Sequence, residues 1–349
     1  MQHEYFLGGA SQNGFYTTFW DEQRHCYGIL LKGGPGTGKS TLMKKIAAAF
    51  PEEPVSLYHC ASDPHSLDAV VLEQRKVYIA DATAPHMQDV SLPFVTGEIV
   101  NLAEGLHAET VRANAETART LYAENQALHA RVKKGLCGLA AMQTMYTDTA
   151  QHALLREKLS AYAERFCKRL LPHGKQRGGV LLHRQCAALT PDGRVTYVPA
   201  HAAGLYLLDE YRIAAQELLA FFAEQAVLSG LHTEVTADLT QNGLPVTHVI
   251  LPETGLTVSA VRGLPAGVRE DATVISLRRF YDSVVLKEQR TLLKFCADTA
   301  DSIEAETVRM LRDALAVHDD LEQTYISALN PKFLDSLAKK LIARLKSDF

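Results

Sequence analysis

The chain has 349 residues, of which 47% are apolar and 22% charged, the balance of an ordinary folded protein rather than a disordered or fibrous one. That length exceeds what one small core organises, so two domains are expected. A net charge of −4 favours neither nucleic acid nor an anionic membrane as a partner.

No apolar run approaches the ~18 residues of a membrane-spanning helix. The start, "MQHEYFLGGA", lacks a cationic segment leading into an apolar one, so no signal peptide is expected. The six cysteines, Cys26, Cys60, Cys137, Cys167, Cys186 and Cys296, form no CxxC pair. That usage suits free thiols in a reducing cytoplasm, not a disulfide frame or a zinc site.

In chain order, "HEYFLGGASQNGFYTTF" from His3 reads as a β-like start with a turn at Asn13-Gly14. "YGILLK" (27–32) reads as a short buried strand. Gly33-Gly34-Pro35-Gly36-Thr37-Gly38-Lys39-Ser40 then satisfies GxxxxGK[ST] in full, with Thr41 next. Glycines let the backbone take positive φ and approach phosphates closely. Their N–H groups can form an anion nest, Lys39 offers an ammonium to the β/γ-phosphates, and Ser40 a hydroxyl to Mg²⁺. Leu42, Met43, Ile46, Ala49 and Phe50 give the following helix one apolar face, and "PEEP" stops it. This order places a helix N-terminus on the phosphates.

"VSLYHC" (55–60) reads as the next strand. Asp63 follows it, either as a base or Mg²⁺ ligand at a strand's carboxyl end or as the first residue of an Asp-Pro turn. Ser66 and Asp68 read as caps of a helix beginning there. "KVYIAD" (76–81) is an apolar strand ending in Asp81, a Walker B arrangement that could hold Mg²⁺ opposite Ser40. In "DATAPH", Thr83 and His86 are candidates to sense a γ-phosphate or simply to pack in a loop. No acid follows Asp81 directly, so the usual Asp-Glu pair with a catalytic base is missing; no [NT]KxD motif occurs, which favours ATP over GTP; and no LSGGQ-like signature supports a transporter ATPase.

Residues 104–170 carry apolar positions at helical spacing, with a turn expected in "KKGLCGL" around Gly135. "LPHGKQRGG" (171–179) reads as a linker. The second half then repeats the first. "HRQCAALTPDGRVTYVP" from His183 matches the stretch from His3, including an Asp192-Gly193 turn. Val249–Ala260 aligns without gaps with Val70–Asp81, and Thr273–Leu277 matches Glu98–Leu102. Gly204–Phe222 aligns with Gly28–Ile46, but Asp209, Glu210, Arg212 and Ala214 replace the loop glycines, Ala215 replaces Lys39, Gln216 replaces Ser40, and Ala260 replaces Asp81. Two acids at an anion site would repel phosphate, so this copy is expected to be nucleotide-blind. Residues 286–346 form a second helical tail with a break at Asn330-Pro331.

The segments "GGPGTGKSTLMKKI" (33–46), His59–Asp68 and "DATAPH" (81–86) resemble those of a bacterial P-loop ATPase family made of two tandem related halves, and the resemblance runs over essentially the whole chain. It departs from that family in lacking a second phosphate loop, which puts any two-ATP mechanism in doubt. The expected fold is α/β, a duplicated open and mostly parallel P-loop NTPase-type sheet with long helical hairpins appended. The expected domains are 1–170, nucleotide-binding with its helical tail, and 180–349, degenerate with its own.

The expected function is ATP binding with slow or regulated Mg²⁺-dependent hydrolysis at one site. Gly33 to Thr41 would bind the nucleotide, Ser40 and Asp81 the metal, and Lys39 and Asp81 would serve catalysis. An arginine from the second half, Arg262, Arg269, Arg278 or Arg279, is a candidate finger. The alternatives are a small-molecule kinase with Asp63 as base, and a nucleotide switch that does not hydrolyse. The helical arms either pack internally or dock a homodimer or protein partner.

Overall fold

The computed structural model describes residues 2–172, 178–197, 203–264, 268 and 272–349. Residues 173–177 of the expected linker, and Arg269, lie outside them.

The first half contains β1 (Gln2–Phe6), β2 (Gly9–Ser11), β3 (Gly14–Tyr16), α1 (Phe19–Glu22), β4 (Tyr27–Lys32), α2 (Lys39–Ala48), β5 (Val55–His59), β6 (Leu67–Leu72), β7 (Val77–Asp81), β8 (Gly97–Asn101), α3 (Ala108–Ala113), α4 (Ala115–Ala150) and α5 (Arg156–Leu170). The second half contains β9 (Val180–His183), β10 (Ala187–Thr190), β11 (Gly193–Thr196), β12 (Ala203–Leu208), α6 (Ile213–Leu228), β13 (His232–Ala237), β14 (Val246–Leu251), β15 (Leu256–Val261), β16 (Thr273–Ser276), α7 (Ser283–Glu288), α8 (Arg290–Ile326) and α9 (Pro331–Asp348).

The two six-stranded sheets have the same topology. One runs β1-β5-β6-β7-β4-β8 and the other β9-β13-β14-β15-β12-β16. In each, the third strand is antiparallel to both neighbours and the other pairings are parallel. The hairpins correspond as well. In β2–β3 the Ser11 hydroxyl donates to the Gly14 carbonyl (2.8 Å), and in β10–β11 the Thr190 hydroxyl donates to that of Gly193 (2.9 Å). The fold is therefore a duplicated α/β fold with two mostly parallel, mixed sheets.

Two local expectations change. The stretch after Asp63 is not a helix capped by Ser66 and Asp68. It is β6, "LDAVVL", buried at all six positions, where adjacent Val70 and Val71 favour the pleated backbone. Nor does the chain turn at Gly135. α4 runs unbroken to Ala150 because Val132, Leu136, Leu139 and Ala140 are all buried along one side. That burial outweighs the ~1 kcal/mol helix penalty of a glycine. The break comes instead at 151–155, before α5. The Asn330-Pro331 break is where it was expected, with the Asn330 side chain accepting from the Lys332 N–H (3.0 Å) as the α9 cap.

The chain forms two compact units, and they are not the two sequence halves. Unit 1 comprises Met1–Lys134, Ala188–Tyr197 and Glu306–Phe349, and unit 2 comprises Gly135–Ala187 and Val198–Ala305. The boundaries fall within α4, at the start of β10, after Tyr197 and within α8. Unit 1 buries Ile29, Leu31, Leu42, Met43 and Ile46 of the first half against Leu334, Ala338, Leu341 and Leu345 of α9. Polar contacts fix the same helix, because Arg75 donates to the Leu345 carbonyl (2.7 Å) and Arg344 to Glu98 (2.9 Å). Unit 2 buries Leu159, Ala163 and Phe166 of α5 with Leu218, Leu219 and Phe222 of α6. The tail of each half thus completes the core built on the other half's sheet. An amphipathic tail packs on whichever apolar sheet-and-helix surface it reaches, and sequence periodicity does not name that surface.

Among the described residues, no helix is long and apolar enough to cross a membrane. All six cysteines are free.

Candidate functional site

Unit 1 places the glycine-rich loop between the carboxyl end of β4 and the start of α2. Gly36 and Gly38 have φ of 66° and 85°, a region that side-chain-bearing residues rarely enter. A Cβ on Gly33 would lie 2.6 Å from the Thr37 hydroxyl. That hydroxyl donates to the Gly34 carbonyl (2.8 Å), and Thr37 is buried. Lys39 opens α2 and folds back over the loop, its Nζ donating to the carbonyls of Gly33 (2.9 Å) and Gly34 (2.8 Å). Its ammonium also stands 3.5 Å from Asp81 Oδ2 at the end of β7, with both side chains 13% exposed. Pro35 and Ser40 are half-buried, and Thr41 is exposed.

An anionic group already sits on this loop. The Gly36 N–H donates to Oε1 of Glu322 on α8 (3.1 Å). His318, one helical turn earlier, is 3.5 Å from the same oxygen. The hydrogen bond from His318 chiefly holds the Glu322 carboxyl below the usual glutamate range, with help from the Gly36 N–H and the charges of His318 and Lys39. Asp319 beside it is pushed up, first by burial and then by the charges of Asp63 and Glu322. The loop therefore faces the end of α8, with the Tyr325 ring 3.6 Å from where a Gly34 Cβ would be.

Asp81 lies on β7 with Asp81 opposite Leu31 of β4 in register. Its Oδ1 accepts from the Thr83 N–H (2.8 Å) and from the Thr83 hydroxyl. Ser40 Oγ accepts from the Leu67 N–H (3.0 Å), which ties α2 to the start of β6. Asp68, next in chain, is buried and pairs with His86 (3.3 Å). Burial works against charge on His86, but Asp68, through charge and a hydrogen bond, and Asp81 outweigh it, so its pKa is raised. Asp63 takes part in a turn. Its Oδ1 accepts from the His65 N–H (3.1 Å), the turn-closing arrangement, and it faces Asp319. Among the described residues, no group of three or more His, Cys, Asp or Glu side chains is arranged to hold a metal ion by itself.

The matching loop in unit 2 is filled by its own side chain. Asp209 stands where Gly33 does and is 2% exposed. Its carboxylate accepts from the N–H groups of Tyr211 (3.0 Å) and Ala215 (2.9 Å) and from the Tyr281 hydroxyl (2.9 Å). Burial pushes its pKa up, and these donors partly offset that. Arg212, at the position of Gly36, also has a positive φ, 70°. Only one of the two acids enters the loop. Glu210 is exposed and pairs with Arg278 (3.2 Å). The other candidate arginines are also engaged within unit 2, Arg262 with Asp301 (2.9 Å) and Arg279 over the Tyr162 and Phe280 rings (4.7 and 4.9 Å).

No protein family, no curated protein and no solved structure matches this chain.

Sequence reasoning located the loop, Lys39 and Asp81, but not Glu322 or the Asp68–His86 pair. A glutamate on an exposed helical stretch carries no local signal of a partner 286 residues away. Asp68 gave no period-2 signal either, because β6 is buried at all six positions and its sequence does not alternate.

Proposed function

We propose that unit 1 binds Mg·ATP at the Gly33–Ser40 loop and hydrolyses it at this single site. The observation that carries the reading is that both loops of the duplicated fold hold a carboxylate on their backbone amides. Glu322 reaches Gly36 in unit 1, and Asp209 reaches Ala215 in unit 2. A loop that binds an anion in both copies is an anion receptor by construction. In unit 2 the anion is buried and covalently part of the loop. In unit 1 it is a partly exposed side chain from another helix, which a polyphosphate can displace.

The residues present fit that ligand. Gly36 and Gly38 free the backbone to cradle phosphates, and Lys39 supplies the charge for the terminal groups. Ser40 and Asp81 are the side chains that would hold Mg²⁺, which needs few protein ligands when phosphates and water complete its shell. Bound there, Mg²⁺ would neutralise the phosphate charge during transfer. Lys39 rests on the Gly33 and Gly34 carbonyls and beside Asp81, so it is placed at the loop before any ligand arrives. A reducing cytoplasm, where the six free thiols persist, suits such a protein.

Mg·ATP affinity measured for wild type and Lys39→Ala tests the site. The variant is expected to bind at least ~10-fold more weakly, given ~1.5–3 kcal/mol for contacts to charged groups. Equal affinities would contradict the reading.

A further inference from the structure

Hydrolysis needs a group to take the proton of the attacking water, yet the residue after Asp81 is Ala82. The neighbouring strand supplies a carboxylate. β6 runs antiparallel to β7 with Ala69 opposite Ala80 and Val70 opposite Ile79, so Asp68, one residue before Ala69, lies at the end of the ladder where β7 ends in Asp81. Because β6 is the one inverted strand, its beginning lies at the edge where β4, β5 and β7 end. That edge is where ligands bind in α/β sheets. The link from Leu67 N–H to Ser40 Oγ draws the same point of β6 to the start of α2.

Asp68 is only 7% exposed and lies 3.3 Å from His86 Nε2, beside the half-buried Cys60. His86 is itself 7% exposed and packs edge-on against Phe15, with ring centroids 4.5 Å apart. Its Nδ1 is buried without a hydrogen-bond partner. A buried carboxylate and imidazole with an unfilled hydrogen-bonding position cost stability, so their presence at this edge calls for a role beyond packing.

Resting on the nucleotide reading above, we propose that Asp68 is the proton acceptor of the site and that His86 positions it. Asp68 takes one proton from a water molecule. The water oxygen forms a bond to the γ-phosphorus as the bond from that phosphorus to the β,γ-bridging oxygen breaks. The electron pair of the broken bond leaves with ADP, inorganic phosphate is the other product, and Asp68 returns its proton to solvent. Asp81 keeps its place beside Lys39 and is not needed as the base.

The test measures Mg·ATP affinity and steady-state turnover of the full chain for wild type, Asp68→Asn, Asp68→Glu, His86→Gln and Lys39→Ala. Asp68→Asn is expected to bind within about twofold of wild type while turnover falls on the order of 100-fold or more. Asp68→Glu, which restores a carboxylate, regains part of that loss. His86→Gln keeps a donor toward Asp68 and is expected to lose about tenfold in turnover at unchanged affinity. Asp68→Asn turning over at the wild-type rate overturns the proposal. So does a wild type that binds Mg·ATP without turnover, or loss of binding in both Asp68 variants, which marks the pair as structural. Lys39→Ala binding as tightly as wild type sinks the nucleotide reading itself, a separate failure.

Discussion

Gly33 and Asp209 occupy one position in two copies of the same loop, and their difference sets what each copy can hold. Without a side chain at Gly33, the unit 1 loop leaves its amides to an outside anion, and Glu322 currently provides one at Gly36. With Asp209, the unit 2 loop closes on itself through the N–H groups of Tyr211 and Ala215. Glu322 should therefore compete with nucleotide. Glu322→Ala is expected to raise Mg·ATP affinity by ~3- to 10-fold, a charge-assisted hydrogen bond discounted because the side chain is 37% exposed. Titration calorimetry checks it, and an unchanged or weaker affinity would mean that Glu322 does not hold the loop against ligand. The glycines and Lys39 were legible in the sequence because their spacing is local, and Asp81 because it ends an apolar strand that pairs with β4. Glu322 and His318 were not, because only tertiary packing of a distant helix brings them to the loop.

At the scale of elements, apolar pattern predicted where helices and strands occur better than which surfaces they meet. β4, β5 and β7 were readable as short buried runs bounded by turn residues. β6 was misread because "SLDAVVL" carries both a capping signature and a β-branched run, and the sheet edge between β5 and β7 decided between them. The tails were readable as helices, but α5 and α9 each complete the core on the other half's sheet. A periodic stripe specifies that a face is buried and leaves the partner open. It follows that a substitution in the last turns of the chain should weaken the first-half core. Leu341 is 3% exposed and packed with residues of α2 and the first sheet. Leu341→Ala is expected to cost about 2–5 kcal/mol, measurable as a lower denaturation midpoint of the transition that bound Mg·ATP protects. A cost under ~0.5 kcal/mol, the range of surface substitutions, would show that α9 is not part of that core.

Across the whole molecule, one fold has been used twice, with a different carboxylate on each loop. The strand order, the inverted third strand and the hairpin hydrogen bonds are the same in both halves. Even the positive φ at Gly36 recurs at Arg212. What differs is the source of the negative charge on each loop. The duplication itself was visible in the sequence at nearly constant spacing, since strand order and turn positions persist where side-chain chemistry does not. The exchange of tails was invisible for the reason given above. The central claim is a single receptive loop per chain, and nucleotide stoichiometry is its most direct test. Titration of the full chain with Mg²⁺ and a non-hydrolysable ATP analogue is predicted to give one site, lost in Lys39→Ala. Two sites per chain, or one site that survives Lys39→Ala, would contradict it.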